Sequence, residues 1–84
     1  MRRKITDVEK EMLLRLQKLS NADEFLYSFI VYLETDKERE FVMDALDNGK
    51  INDPAKAVVL AIDIFRARKA YSGQGDYLSK VKLP

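Results

Sequence analysis

Residues Pro54–Tyr71 read PAKAVVLAIDIFRARKAY, the longest apolar segment of the chain. Asp53 precedes it, and an Asp followed by a proline is a helix start. The carboxylate accepts from free N–H groups of the first turn, and proline tolerates the first helical position because its missing N–H would have no partner there. At 100° per residue, Ala57, Val58, Leu60, Ala61, Ile62, Ile64, Phe65 and Tyr71 fall within an arc of roughly 200°, against the roughly 100° of an ordinary surface helix. Lys56, Asp63 and Arg66 hold the other side. A helix with so wide an apolar arc needs two or three neighbours. It is either the central helix of a bundle or a helix with part of its surface in a subunit interface. The small residues Ala57 and Ala61 within the arc permit close helix approach.

A membrane span needs about 20 apolar residues. Here the clean run Ala57–Ile62 stops at Asp63, and Arg66, Arg68 and Lys69 follow, so a span is rejected. The piece VVLAI alone would suit a buried strand, but the alanines and the capped start select helix.

The remaining segments read as helices too. Thr6-Asp7-Val8-Glu9 is a capping box, in which hydroxyl and carboxylate satisfy each other's backbone N–H groups. A first helix follows to about Leu19, with Val8, Met12, Leu16 and Leu19 as its stripe, Leu13 at the margin and Leu14 on the polar side. Ser20-Asn21 breaks it and caps a second helix, about Ala22 to Glu34. Phe25, Leu26, Phe29, Ile30 and Leu33 take one side of that helix, while Tyr27 and Val31 take the other beside Glu24 and Glu34. Its aromatic and β-branched content makes a strand the competitor, but there is no strict alternation. Thr35-Asp36-Lys37-Glu38 reads as a second capping box, and the third helix runs to about Asn48, where Gly49 is a left-handed stop. Phe41, Val42, Ala45 and Leu46 form its core stripe. Ser72-Gly73-Gln74-Gly75 reads as a hinge, and the tail DYLSKVKLP is too short for a core of its own. It docks through Tyr77, Leu78 and Val81 or it frays.

The expected fold is therefore all-α: a small helical bundle or irregular array of four main helices with a loose C-terminal tail. Residues 1–75 form a single helical domain and residues 76–84 a flexible or docked tail. With 84 residues the chain allows one small domain, of a size at which a staple or oligomerisation often assists the core. No cysteine is present, so disulfides and thiolate sites are excluded, and no histidine is present, which removes the commonest metal ligand and general base. The lead MRRKITD carries charge but no apolar run, so no signal peptide is read and a cytoplasmic location is expected.

The net charge of +1 argues against whole-surface attraction to nucleic acid or membrane, but the charge is unevenly spread. Residues 1–20 sum to +3, residues 21–53 to −6 and residues 54–84 to +4. Within the acidic middle, Asp36, Glu40, Asp44 and Asp47 fall within about 80° of one another on the third helix. Like charges at this spacing repel by a few tenths of a kcal/mol per pair, so a basic partner, the basic tail or a divalent cation would relieve them. The plain alternative is a solvated face. No EF-hand order of ligands is present, and no metal or cofactor is expected. Arg66, Arg68, Lys69, Lys80 and Lys82 form the candidate phosphate-contacting set, although cations near a helix C-terminus also complement its dipole. The Arg2-Arg3-Lys4 lead is a weaker candidate still.

Ala45 and Gly49 have the spacing of a helix–turn–helix turn, but the helix opened by Asp53 lacks early exposed Arg, Asn, Gln or Ser to reach base edges. No GxSxG, GxxxxGK[ST] or HExxH pattern occurs, and the chain reads as no enzyme. The residues left over are Tyr27, Val31 and Tyr71, amphipathic or apolar groups of the kind found in interfaces. The resulting expectation is a cytoplasmic protein–protein interaction module or small regulator, self-associating as a homodimer or capturing a protein partner. Tyr27, Val31 and Tyr71 would make the apolar contacts, and Asp36, Glu40, Asp44 and Asp47 the electrostatic ones. The alternative is a nucleic-acid-associated regulator using the C-terminal basic residues.

Overall fold

The computed structural model describes residues 4–72 and 75–83. Arg2 and Arg3 of the basic lead, and Gly73 and Gln74 of the expected hinge, lie outside the described residues. Within these bounds the chain is all-α. It has four helices, α1 (Asp7–Leu16), α2 (Asp23–Tyr32), α3 (Asp36–Asp47) and α4 (Pro54–Ala70), followed by a 3-10 turn at Tyr77–Lys80.

Each helix end has a chemical cause. Thr6 Oγ1 accepts the Glu9 N–H at 3.2 Å and Glu9 Oε1 accepts the Thr6 N–H at 3.1 Å, so the first capping box is complete. α1 stops at Leu16, short of Leu19, because the chain tightens there: the Lys18 and Leu19 N–H groups donate to Arg15 and Leu16 carbonyls three residues back. α2 starts on Ala22, which has no side-chain cap; Ser20 Oγ instead accepts the Ala22 N–H at 3.2 Å. α3 ends in a Schellman arrangement. The Lys50 N–H donates to Ala45 O at 2.9 Å, the Gly49 N–H to Leu46 O at 3.2 Å, and Gly49 takes φ +70°. Asp53 Oδ1 caps α4, accepting the Ala55 N–H at 2.7 Å and the Lys56 N–H at 3.4 Å.

The helices pair across the chain. α1 packs closely with α3 and α2 with α4, with lighter α3–α4 and α1–α2 contacts, in a slab of 32 × 32 × 19 Å. Glu9 meets Arg39 and Arg15 meets Asp47, so α1 and α3 run side by side in the same direction. The core takes Met12 and Leu16 from α1, Phe25 and Phe29 from α2, Val42 and Ala45 from α3, and Ala57, Leu60, Ala61 and Ile64 from α4, closed by Leu33 and Ile51. Phe25 and Phe29 meet edge to face at 5.4 Å, a favoured aromatic geometry.

The wide arc of α4 is explained by three neighbours. Phe65 meets Tyr32 of α2 edge to face at 5.5 Å. Arg68 reaches Glu38 of α3 at 2.7 Å. The tail supplies the third side: the 3-10 turn packs on α4, and Leu78 and Val81 pack against the core cluster. Of the two fates read for the tail, the structure shows docking. Val59 stays outside all three contacts, 56% exposed.

Candidate functional site

Tyr27 and Val31 lie one helical turn apart on α2 and project outward, 64% and 51% exposed. Asp23 and Glu24, both exposed, precede them. On a helical wheel the four residues span about 100°, so α2 presents an apolar pair bordered by two carboxylates. Tyr71 is placed differently. It is the half-buried C-cap of α4, and the Lys80 ammonium lies 5.9 Å from its ring centroid.

The acidic stripe of α3 is partly neutralised from within the chain. Arg39 Nη1 pairs with Asp36 at 2.8 Å and Arg15 Nε with Asp47 at 3.0 Å. Hydrogen bonding to Asp47 outweighs desolvation and holds the Arg15 guanidinium above its ordinary pKa. Glu40 and Asp44 remain exposed. The compensation expected from a basic partner, the basic tail or a divalent cation is thus supplied at both ends of the stripe by Arg39 and Arg15 instead.

The basic set is divided. Arg68, expected among the phosphate-contacting residues, is turned inward. Its guanidinium donates to Glu38 Oε1 at 2.7 Å and to Tyr32 O at 3.2 Å, pairs with Glu34 at 3.3 Å and lies 5.3 Å from the Phe65 ring centroid. A fully buried carboxylate demands a counterion, and Arg68 meets that demand. The Lys69 ammonium lies 5.1 Å from the same Phe65 ring centroid. Arg66, Lys80 and Lys82 are exposed.

Two buried ionic clusters went unread in the sequence. Glu9 and Glu38 are 0% exposed and Arg39 is 7% exposed. Arg39 joins Glu9 at 3.6 Å, Asp36 at 2.8 Å and the Leu33 carbonyl at 3.4 Å. Glu38 does not close the second capping box. Thr35 Oγ1 accepts the Glu38 N–H, but the Glu38 carboxylate turns away to accept the Glu34 N–H at 2.7 Å, Arg68 and the Tyr77 hydroxyl. Burial pushes the Glu38 carboxyl up, yet the hydrogen bonds from Tyr77, Glu34 and Arg68 outweigh it and leave the pKa below the ordinary 4.5. Burial, and then the bond to Glu38, raises the Tyr77 phenol above its ordinary 10.0. With Glu38 held as the carboxylate and Tyr77 as the neutral phenol, this pair holds structure at pH 7. The signal for both buried acids was periodicity. Glu9 shares its face with Met12 and Leu16 at i+3 and i+7, and Glu38 with Val42 and Ala45 at i+4 and i+7.

One open groove of about 380 Å³ lies along α4 and the chain end. Val59, Leu60 and Leu83 supply apolar lining and Lys56, Lys82 and Asp63 the charge. Among the described residues no three of His, Cys, Asp or Glu converge as a metal-binding group, and no helix is long and apolar enough to cross a membrane. No protein-family model, curated protein or solved structure matches the chain. The site must therefore be read from its own chemistry.

Proposed function

We propose that this chain is a non-enzymatic, cytoplasmic protein–protein interaction module, a small regulator that self-associates through the outer face of α2. One observation carries the reading: the core closes without Tyr27 and Val31, which remain 64% and 51% exposed on one helical face. A large aromatic beside a β-branched residue is costly to leave in water and is typical of contact surfaces. Asp23 and Glu24 border the pair and would choose a partner surface of positive sign. Glu40 and Asp44 offer a second acidic contact on α3.

Light scattering across a dilution series tests the reading. The wild-type chain gains mass with concentration, whereas Tyr27→Glu and Val31→Asp stay monomeric with unchanged helical circular dichroism. Wild-type association of Tyr27→Glu overturns it. The nucleic-acid alternative rests on Arg66, Lys69, Lys80 and Lys82 with Arg68 engaged elsewhere, and it requires binding to duplex DNA that weakens steeply with salt.

A further inference from the structure

We infer that the partner of the α2 face is the α4 groove of a second copy of this chain, so that copies join head to tail. The inference rests on the self-association reading above and names the second surface that reading lacks. Charge decides the pairing. The α2 face carries Asp23 and Glu24 beside Tyr27 and Val31, all four exposed. The groove carries Lys56 and Lys82 against a single Asp63, around Val59 and Leu83, which are 56% and 37% exposed. Two α2 faces meeting across a two-fold axis would bring four carboxylates together, and two grooves would bring four ammonium groups together. Each arrangement is opposed by like-charge repulsion. Face against groove pairs carboxylates with ammonium groups and apolar side chains with apolar lining.

Size and placement agree. A groove of about 380 Å³ lies within the range of roughly 300–1,000 Å³ that accepts an inserted group of aromatic size. Lys56 lies about 180° around α4 from Phe65, whose ring meets Tyr32 of α2. The groove therefore faces away from the chain's own α2, and face and groove must come from different copies. Such a contact is heterologous and propagates as a chain or closes as a ring. The charged rim makes the contact sensitive to salt.

Mixing two blocked copies tests it. Val59→Glu spoils the groove and leaves α2 intact; Tyr27→Glu spoils the α2 face and leaves the groove intact. Each alone is expected to be monomeric by analytical ultracentrifugation. Their equimolar mixture is expected to form a two-chain complex and to stop there, because the outer surfaces of that complex are both blocked. Lys56→Glu with Lys82→Glu, at exposed positions that spare the fold, weakens association at least tenfold. Asp23→Lys with Glu24→Lys on the other copy restores it. If Tyr27→Glu is monomeric but Val59→Glu and the lysine variant associate as wild type, the groove inference is overturned and self-association through α2 stands. If the blocked pair fails to complement on mixing, the inference is likewise overturned. If Tyr27→Glu associates as wild type, both readings fall.

Discussion

The Tyr77 hydroxyl donates to the Glu38 carboxylate across 39 positions of sequence, joining the last turn of the chain to the head of α3. Glu38 is fully buried, and Arg68 of α4 completes the junction. Three segments that are distant in sequence thus share one carboxylate. The tail is held by this bond as well as by Leu78 and Val81, which is why residues 76–83, without a core of their own, stay docked.

Tyr77→Phe removes the hydroxyl and keeps the ring. Glu38 retains Arg68 and the Glu34 N–H, so no buried charge is stranded. A hydrogen bond to a charged group contributes about 1.5–3 kcal/mol, and partial exposure of Tyr77 puts the expected loss near the lower end. In a domain of this length that lowers Tm by about 4–8 °C per kcal/mol. Thermal melts followed by circular dichroism check this, with the helical signal at 20 °C unchanged. A melt identical to wild type would mean the tail is held by its apolar contacts alone.

The same pair sets two pH limbs. Glu38 has a folded pKa below its ordinary 4.5, so its contribution is present above pH 4.5 and is lost as the pH falls through the lower folded value. Tyr77 has a folded pKa above its ordinary 10.0, so its contribution is present below pH 10 and is lost as the pH rises through the higher folded value. Urea unfolding across pH is expected to show a plateau between these limbs. Tyr77→Phe should abolish the alkaline limb from this residue and make the acid limb shallower. An alkaline limb of the same size in the variant would assign it to another group.

The parts of the fold written in local pattern were legible in sequence, and the parts written in long-range pairing were not. Asp53-Pro54, Thr6-x-x-Glu9 and Gly49 mark ends because caps and left-handed stops act within a few residues. The width of the α4 arc correctly demanded several neighbours, but no local rule told which ones. The rule that charges face water hid Glu9, Glu38 and Arg39, although periodicity placed both acids on apolar stripes. Arg68 looked like a surface cation because its partners lie 30 and 34 positions earlier. The exposed Tyr27 and Val31 were legible because they fall opposite Phe25 and Phe29 on a short helix. The groove beside Val59 was not, since Leu83 and Lys82 come to it only through the docked tail.

Arg39 shares its guanidinium between Glu9, Asp36 and the Leu33 carbonyl, and it is nearly buried. Arg39→Met keeps much of the volume but takes the positive charge from a buried carboxylate. Breaking a buried pair from one side costs about 3–5 kcal/mol. Glu9→Gln with Arg39→Met removes both charges and should be less destabilised than Arg39→Met alone. A double-mutant cycle from urea unfolding measures the coupling. Additive losses would show that Glu9 does not depend on Arg39.

Gly49 is the one described residue with positive φ, at +70°, and a Cβ built there would meet nothing within 4 Å. Any penalty for a side chain is therefore in the backbone rather than in packing. Gly49→Ala forces an L-residue into the left-handed region at a cost of about 1–2 kcal/mol. Gly49→Asn should cost less, because asparagine tolerates that region better than alanine. Both variants should keep the wild-type dependence of stability on urea, since the buried surface is unchanged. If alanine and asparagine are equally harmful, the loss comes from the side chain and not from φ. If neither costs anything, the bonds from Lys50 to Ala45 and from Gly49 to Leu46 are not what ends α3.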